Sequence, residues 1–155
     1  MRLWHKALIP VLPRQQLLSQ WRECCCIARN IAVNGTPNHL LVNKVLDYPL
    51  DKDFYSYCIL VLTEMQVRGY KISEQAEKNW FHNLILATNS KTFKYNPDYQ
   101  IFEGWHDSRY LTQCYYNLQE KYDCGGIPEE EWAKVAQLYK KLETTLLTDT
   151  QQGII

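Results

Sequence analysis

The sequence predicts an all-α fold, a compact single-domain helical bundle with long irregular loops over residues 1–155. Two observations carry the prediction. Apolar residues recur at three- and four-residue spacing within runs free of glycine and proline, the mark of helices with one buried face. Between those runs stand turn-forming pairs such as Asn34-Gly35, Tyr48-Pro49 and Gly125-Gly126.

The first helix is expected from Gln15 to Ile31, with Pro13 placed where a helix entry tolerates proline. Leu17, Leu18, Trp21, Cys24, Cys25 and Ala28 form its apolar stripe, and Asn34-Gly35-Thr36-Pro37 ends it. A second helical start is expected near Asn38, backed by Leu41, Val42, Val45 and Leu46 and interrupted at Tyr48-Pro49. Asp53 is the expected N-cap of a helix from Phe54 to about Val67, closed by Gly69. Tyr57, Leu60, Val61 and Glu64 continue that helix; its β-rich run, Tyr57 to Leu62, also suits a buried strand, but the cap and stop favour helix. Ser73 caps Glu74 to Leu86, and the aromatic stretch from Asn89 to Gly104 reads as a loop. Asp107 to Tyr122 is helical again. Pro128 and Glu129 to Glu131 open a last helix whose buried stripe is Trp132, Val135, Ala136, Tyr139, Leu142 and Leu146, with a frayed tail after Thr148.

Composition narrows the function. Apolar types make up 46% and charged types 22%, enough apolar matter for a core and too much for a disordered chain. No apolar run approaches the roughly 20 residues a bilayer requires, so no membrane association is expected. The N-terminus lacks the apolar stretch of a signal peptide, and Cys24-Cys25-Cys26, with Cys58, Cys114 and Cys124, is poor spacing for disulfides. Reduced thiols in a cytoplasmic protein are the expectation. The same cysteines contain no Cys-x-x-Cys, so neither a metal nor any other cofactor is expected.

Net charge is zero, but unevenly composed. In residues 1–30, Arg2, Lys6, Arg14, Arg22 and Arg29 stand against Glu23 alone, a local +4; residues 119–149 carry −3. Such a dipole can dock a polyanion on one face, because phosphate attraction acts over roughly 10 Å. Arg14, Arg22 and Arg29 fall near one face of the first helix, and Glu23 lies about 100° around from Arg22 on its border. The terminal α-amine adds a nucleophile, since its reference pKa of about 8 lies well below that of lysine. Most chain termini are frayed and inert, and that is the default here.

These residues resemble the pyrimidine-dimer DNA glycosylases, the phage-type endonuclease V enzymes of ultraviolet damage, and among them the bacterial branch. The likeness lies in Met1-Arg2-Leu3-Trp4-His5, in Leu12 to Leu18 followed by Trp21-Arg22-Glu23, and in Glu64 to Ile72; His39 and the His106-Asp107 and Leu118 to Lys121 segments match less closely. The resemblance implies a DNA repair glycosylase with abasic-site lyase activity on damaged double-stranded DNA; a monomer is the separate expectation for its oligomeric state. It implies that the amine of Met1 forms a Schiff base at the sugar C1′, with Glu23 as the catalytic carboxylate. Arg2, Gln15 and Arg22 would contact phosphates; Arg14 and Lys121 are added as expected DNA contacts, and His5 and His39 as expected lining residues, with a structural role the equal alternative for His5. The chain departs from the pattern in its bulky Met1, in Asn117 where the family has a basic residue, and in lacking an aromatic-basic tail.

Two other readings compete. A cysteine could pair with His39, His82 or His106 as a hydrolase, although no nucleophile motif supports it. A non-enzymatic DNA-binding or protein-interaction module is the alternative, with Tyr99, Phe102 and Trp105 of the Tyr95 to Trp105 loop as a base-stacking wedge or as anchors of that loop.

Overall fold

The computed structural model of the chain describes residues 1–95 and 100–152; Pro97 and Tyr99 of the aromatic loop lie outside them. Five α-helices follow an extended N-terminal segment: α1 (Arg14–Asn34), α2 (Tyr55–Val67), α3 (Glu74–Thr88), α4 (Ser108–Asp123) and α5 (Glu129–Gln152), with no strand among the described residues.

Local chemistry sets the helix ends. Ser73 Oγ accepts from the Ala76 N–H at the start of α3, and the Asp107 carboxylate accepts from the Tyr110 N–H at the start of α4. α1 begins after Pro13, which has no side chain to cap it; the Arg14 N–H instead donates to Glu131 of the first turn of α5 at 3.2 Å. Gly69, at φ 73°, closes α2 with the paired bonds of a Schellman turn, Tyr70 N–H to Met65 C=O and Gly69 N–H to Gln66 C=O.

The structure corrects several expectations. Residues 38–48 form a turn and a short 3₁₀ segment, Asn43–Asp47, rather than an α-helix. Asp53 does not cap α2. The chain enters that helix through a π turn, Leu50–Phe54, and the buried Asp53 carboxylate accepts from the Phe102 N–H at 2.8 Å. That bond holds Phe102 at φ 56°, unusual for a bulky residue, and brings the aromatic loop against the core. Phe102 and Trp105 are buried, so they anchor their loop and offer no face to a base. On α5 only Val135 of the expected stripe is fully buried; Leu146 is exposed, and the helix runs on to Gln152 past the expected fraying point.

α1 packs against α2 and α3, and α4 against α5. Their buried faces meet in one apolar cluster that includes Trp21 and Ile27 of α1, Tyr57 and Val61 of α2, Leu84 of α3 and Leu118 of α4. The N-terminal segment belongs to it: Leu3 is fully buried and Trp4 nearly so, so this terminus is anchored rather than frayed.

A histidine clasp joins that segment to the start of α4. His5 Nε2 donates to the His106 carbonyl at 2.9 Å, and His5 Nδ1 accepts from the Ala7 N–H. In return His106 Nδ1 accepts from the Lys6 N–H at 3.0 Å, and the two rings stack 5.1 Å apart. Burial, opposed by the carbonyl of His106 and aided by nearby Lys6, lowers His5 to about 4. Burial, then His5 and Lys6, lowers His106 to about 2.

Both rings take up protons near pH 6.5 once unfolded but resist them when folded. Their contribution is therefore complete above about pH 6.5 and is lost as pH falls toward the folded values. The urea midpoint is expected to be lower at about pH 5.5 than at about pH 7.5, and His106→Gln should shrink that difference. Equal midpoints in the parent protein would show that the clasp does not exclude protons.

Candidate active site

The first five residues run extended between α1, α2 and α4, and among the described residues no strand pairs with them. Their peptide groups are satisfied by side chains. The Gln20 amide of α1 accepts from the Trp4 N–H at 2.8 Å and donates to the Arg2 carbonyl at 3.0 Å. It thus bonds on both sides of Leu3, as a neighbouring strand would. Tyr57 of α2 donates to the Trp4 carbonyl at 2.6 Å and lies 3.0 Å from Gln20 Oε1. Tyr110 of α4 donates to the Leu3 carbonyl. Burial, the largest cause, raises the phenols of Tyr57 and Tyr110, so both stay protonated as donors.

Glu23 completes the series. Its Oε2 accepts from the Arg2 N–H at 3.0 Å and from Gln20 Nε2 at 3.4 Å. The Arg2 nitrogen is one peptide unit from the Met1 amine. Because that unit is planar, only the ψ rotation of Met1 moves the amine relative to it, and the two nitrogens stay roughly 3–4 Å apart. Bonding Glu23 to Arg2 therefore holds the carboxylate near the amine whichever way Met1 turns.

Met1 and Glu23 line one cleft of ≈ 400 Å³. Gln15, Ser19 and Glu23 line it from α1 at four-residue spacing, and Asn117 and Lys121 from α4 likewise. Met1, Arg2 and Trp4 lie between them, and Leu41 closes one side. Met1 is 37% exposed, which leaves the terminus open to a ligand. The Arg2 guanidinium sits 5.5 Å from the Trp4 ring centroid and also lines the next cleft, with Tyr110, Gln113 and Tyr116.

Of the residues singled out in the sequence, the structure brings together Met1, Arg2, Gln15, Glu23 and Lys121. Arg14 instead lies over the Tyr70 ring at 5.0 Å, Arg22 points to solvent, and Arg29 lines a separate cleft between α1 and α3 with Cys26 and His82. The basic face of α1 is thus not the face of the amine. His5 is committed to the clasp, and His39 Nδ1 accepts from the Leu41 N–H at 3.3 Å, so neither lines the cleft. Sequence reasoning missed Gln20, Tyr57 and Tyr110. Their signal was a glutamine three residues before Glu23 and three after Leu17, on the buried side of α1. All six cysteines are free thiols, and among the described residues no three His, Cys, Asp or Glu side chains group to hold a metal ion.

A family model described as pyrimidine dimer DNA glycosylase matches residues 1–78. No curated protein and no solved structure matches the chain. The matched segment contains Met1, Arg2, Gln20, Glu23 and Tyr57 and ends within α3, before the α4 residues of the cleft.

Replacing Gln20 strands a buried N–H and a carbonyl at once. Gln20→Leu is expected to destabilise the fold by about 2–4 kcal/mol in urea titrations. Glu23→Gln keeps an acceptor for the Arg2 N–H and should cost less than about 1 kcal/mol. The reverse order of these two losses would refute the role given to Gln20.

Proposed function

The chain belongs to the pyrimidine dimer DNA glycosylase family, and on that premise we propose that it is a glycosylase with abasic-site lyase activity whose nucleophile is the Met1 α-amine. The observation that carries this reading is the Glu23 bond to the Arg2 N–H, which keeps a carboxylate beside the chain's first nitrogen in an open cleft. Lysines are far more numerous nucleophiles, but an α-amine is less basic and is more often uncharged at neutral pH.

In this mechanism the unprotonated amine attacks C1′ of the damaged nucleotide, the C1′–N glycosidic bond breaks, and the base departs with the electron pair. The nitrogen then loses a proton as the C1′–O4′ bond opens, O4′ is protonated, and a Schiff base remains. Loss of a proton from C2′ and departure of the 3′ phosphate by β-elimination nick the strand. Water hydrolyses the imine and frees the amine. Glu23 stabilises the cationic sugar and accepts and returns protons, while Arg2, Gln15 and Lys121 hold the flanking phosphates. One copy of the chain supplies every one of these groups, so the reading needs no second subunit. The substrate is duplex DNA with a damaged pyrimidine, extruded at a cost of a few kcal/mol that damage lowers.

Borohydride reduces an imine to a stable amine. With irradiated or abasic duplex DNA it should yield a covalent adduct whose DNA-bearing peptide begins at Met1. Cleavage without such an adduct would overturn the amine mechanism. Glu23→Gln is expected to keep duplex affinity within about threefold while strand cleavage falls by at least about 100-fold. Unimpaired cleavage in that variant would remove Glu23 from the chemistry.

A further inference from the structure

Extruding a nucleotide leaves a gap in the base stack, and an apolar side chain inserted there offsets part of the lost stacking. The aromatic loop does not, because Phe102 and Trp105 are buried. Leu41, 51% exposed, lines the cleft, and its neighbour Leu40 is 89% exposed; Met1 and Tyr116 are also exposed along the groove, but only the leucines stand together on a turn. Leaving a leucine in water forgoes about 2 kcal/mol of burial. Two in succession at the mouth of a polar cleft therefore call for an explanation in what they contact.

The turn that displays them is stiff. The His39 carbonyl accepts from both the Val42 and Asn43 N–H groups, at 3.1 and 2.9 Å. The Asn43 side chain accepts from the His39 N–H at 3.0 Å, and His39 Nδ1 accepts from Leu41. Val42 and Val45, fully buried, root the turn in the core. It is thus a rigid apolar projection.

Its position suits DNA. Leu41 lines the Met1–Glu23 cleft and the two clefts that continue from it along α4. Arg109, Gln113, Asn117 and Lys121 follow one another at four-residue spacing on the α4 side of that groove, a row of hydrogen-bond donors. Glu23 and Asp107 are the acids lining the groove, outnumbered by Arg2, Lys44, Arg109 and Lys121. Lys44 adds a cation beside Leu40. A groove with cationic walls and an apolar projection matches a polyanion whose interior is stacked bases.

We propose that the Leu40–Leu41 turn is a wedge that enters the duplex beside the extruded nucleotide and fills the gap it leaves. This rests on the glycosylase reading above. A wedge matters only where a stack exists, so its signature is the ratio of cleavage rates on duplex and single-stranded DNA carrying the same abasic site. Leu40→Ala is expected to lower that ratio about tenfold and Leu40→Met to restore it. The brightening of 2-aminopurine placed next to the site, as the wild-type protein unstacks it, should be lost in Leu40→Ala. An unchanged ratio in Leu40→Ala removes the wedge while the chemistry stands. A wild-type protein that cleaves neither substrate removes the chemistry and the wedge with it.

Discussion

A single side-chain amide holds the structure's N-terminal segment in register. Gln20 occupies the place of a missing β-strand, giving one bond on each side of Leu3. An extended segment buried without a partner strand would leave its peptide groups unsatisfied, a cost that compact proteins avoid. Here Gln20, Tyr57, Tyr110 and Glu23 meet that requirement from three different helices. Burial of Leu3 and Trp4 follows from it, and so does the heading of the residue before them. Remove the amide and the buried backbone loses its best reason to stay.

The same constraint separates two jobs that arginines and carboxylates often share. Glu23 and Asp107 are held by backbone N–H groups rather than by cationic side chains, which leaves those side chains free to face the groove. Arg68 instead is spent on structure, binding Glu64 at 2.7 Å and the carbonyls of Leu12 and Pro10, which fixes the bend leading into α1. Arg14 is likewise occupied by Tyr70. The positive charge of the first thirty residues is thus divided between scaffold and cleft, and only Arg2 of the five lines the cleft.

How legible this was in the sequence differs by element. α3 and α4 were readable because Ser73 and Asp107 cap by local rules that need no tertiary information. Gly69 marked the end of α2 for the same reason. Asp53 carried an equally good capping signal and failed, because a buried N–H at Phe102, forty-nine residues away, competes for its carboxylate. Tertiary partners of that kind leave no trace in local spacing. The pairing of Met1 with Glu23 came from family resemblance rather than from periodicity, since no helical rule reaches an extended segment. Gln20 was hidden by its type: a glutamine on a helix reads as solvated unless the backbone it serves is known. Leu41, Val42, Val45 and Leu46 suit a helix by their spacing, yet the chain there turns into a 3₁₀ segment that buries the two valines and leaves the two leucines exposed.

The clasp between His5 and His106 joins residues a hundred positions apart. Synthesis runs from N- to C-terminus, so the segment before α1 is made well before its seat on α4. Until α4 has left the exit tunnel, Leu3 lacks Tyr110, Lys6 lacks His106, and the cleft lacks its second wall. Long-range closure of this kind is also the slow part of folding. The segment made first is therefore among the last to reach its native seat.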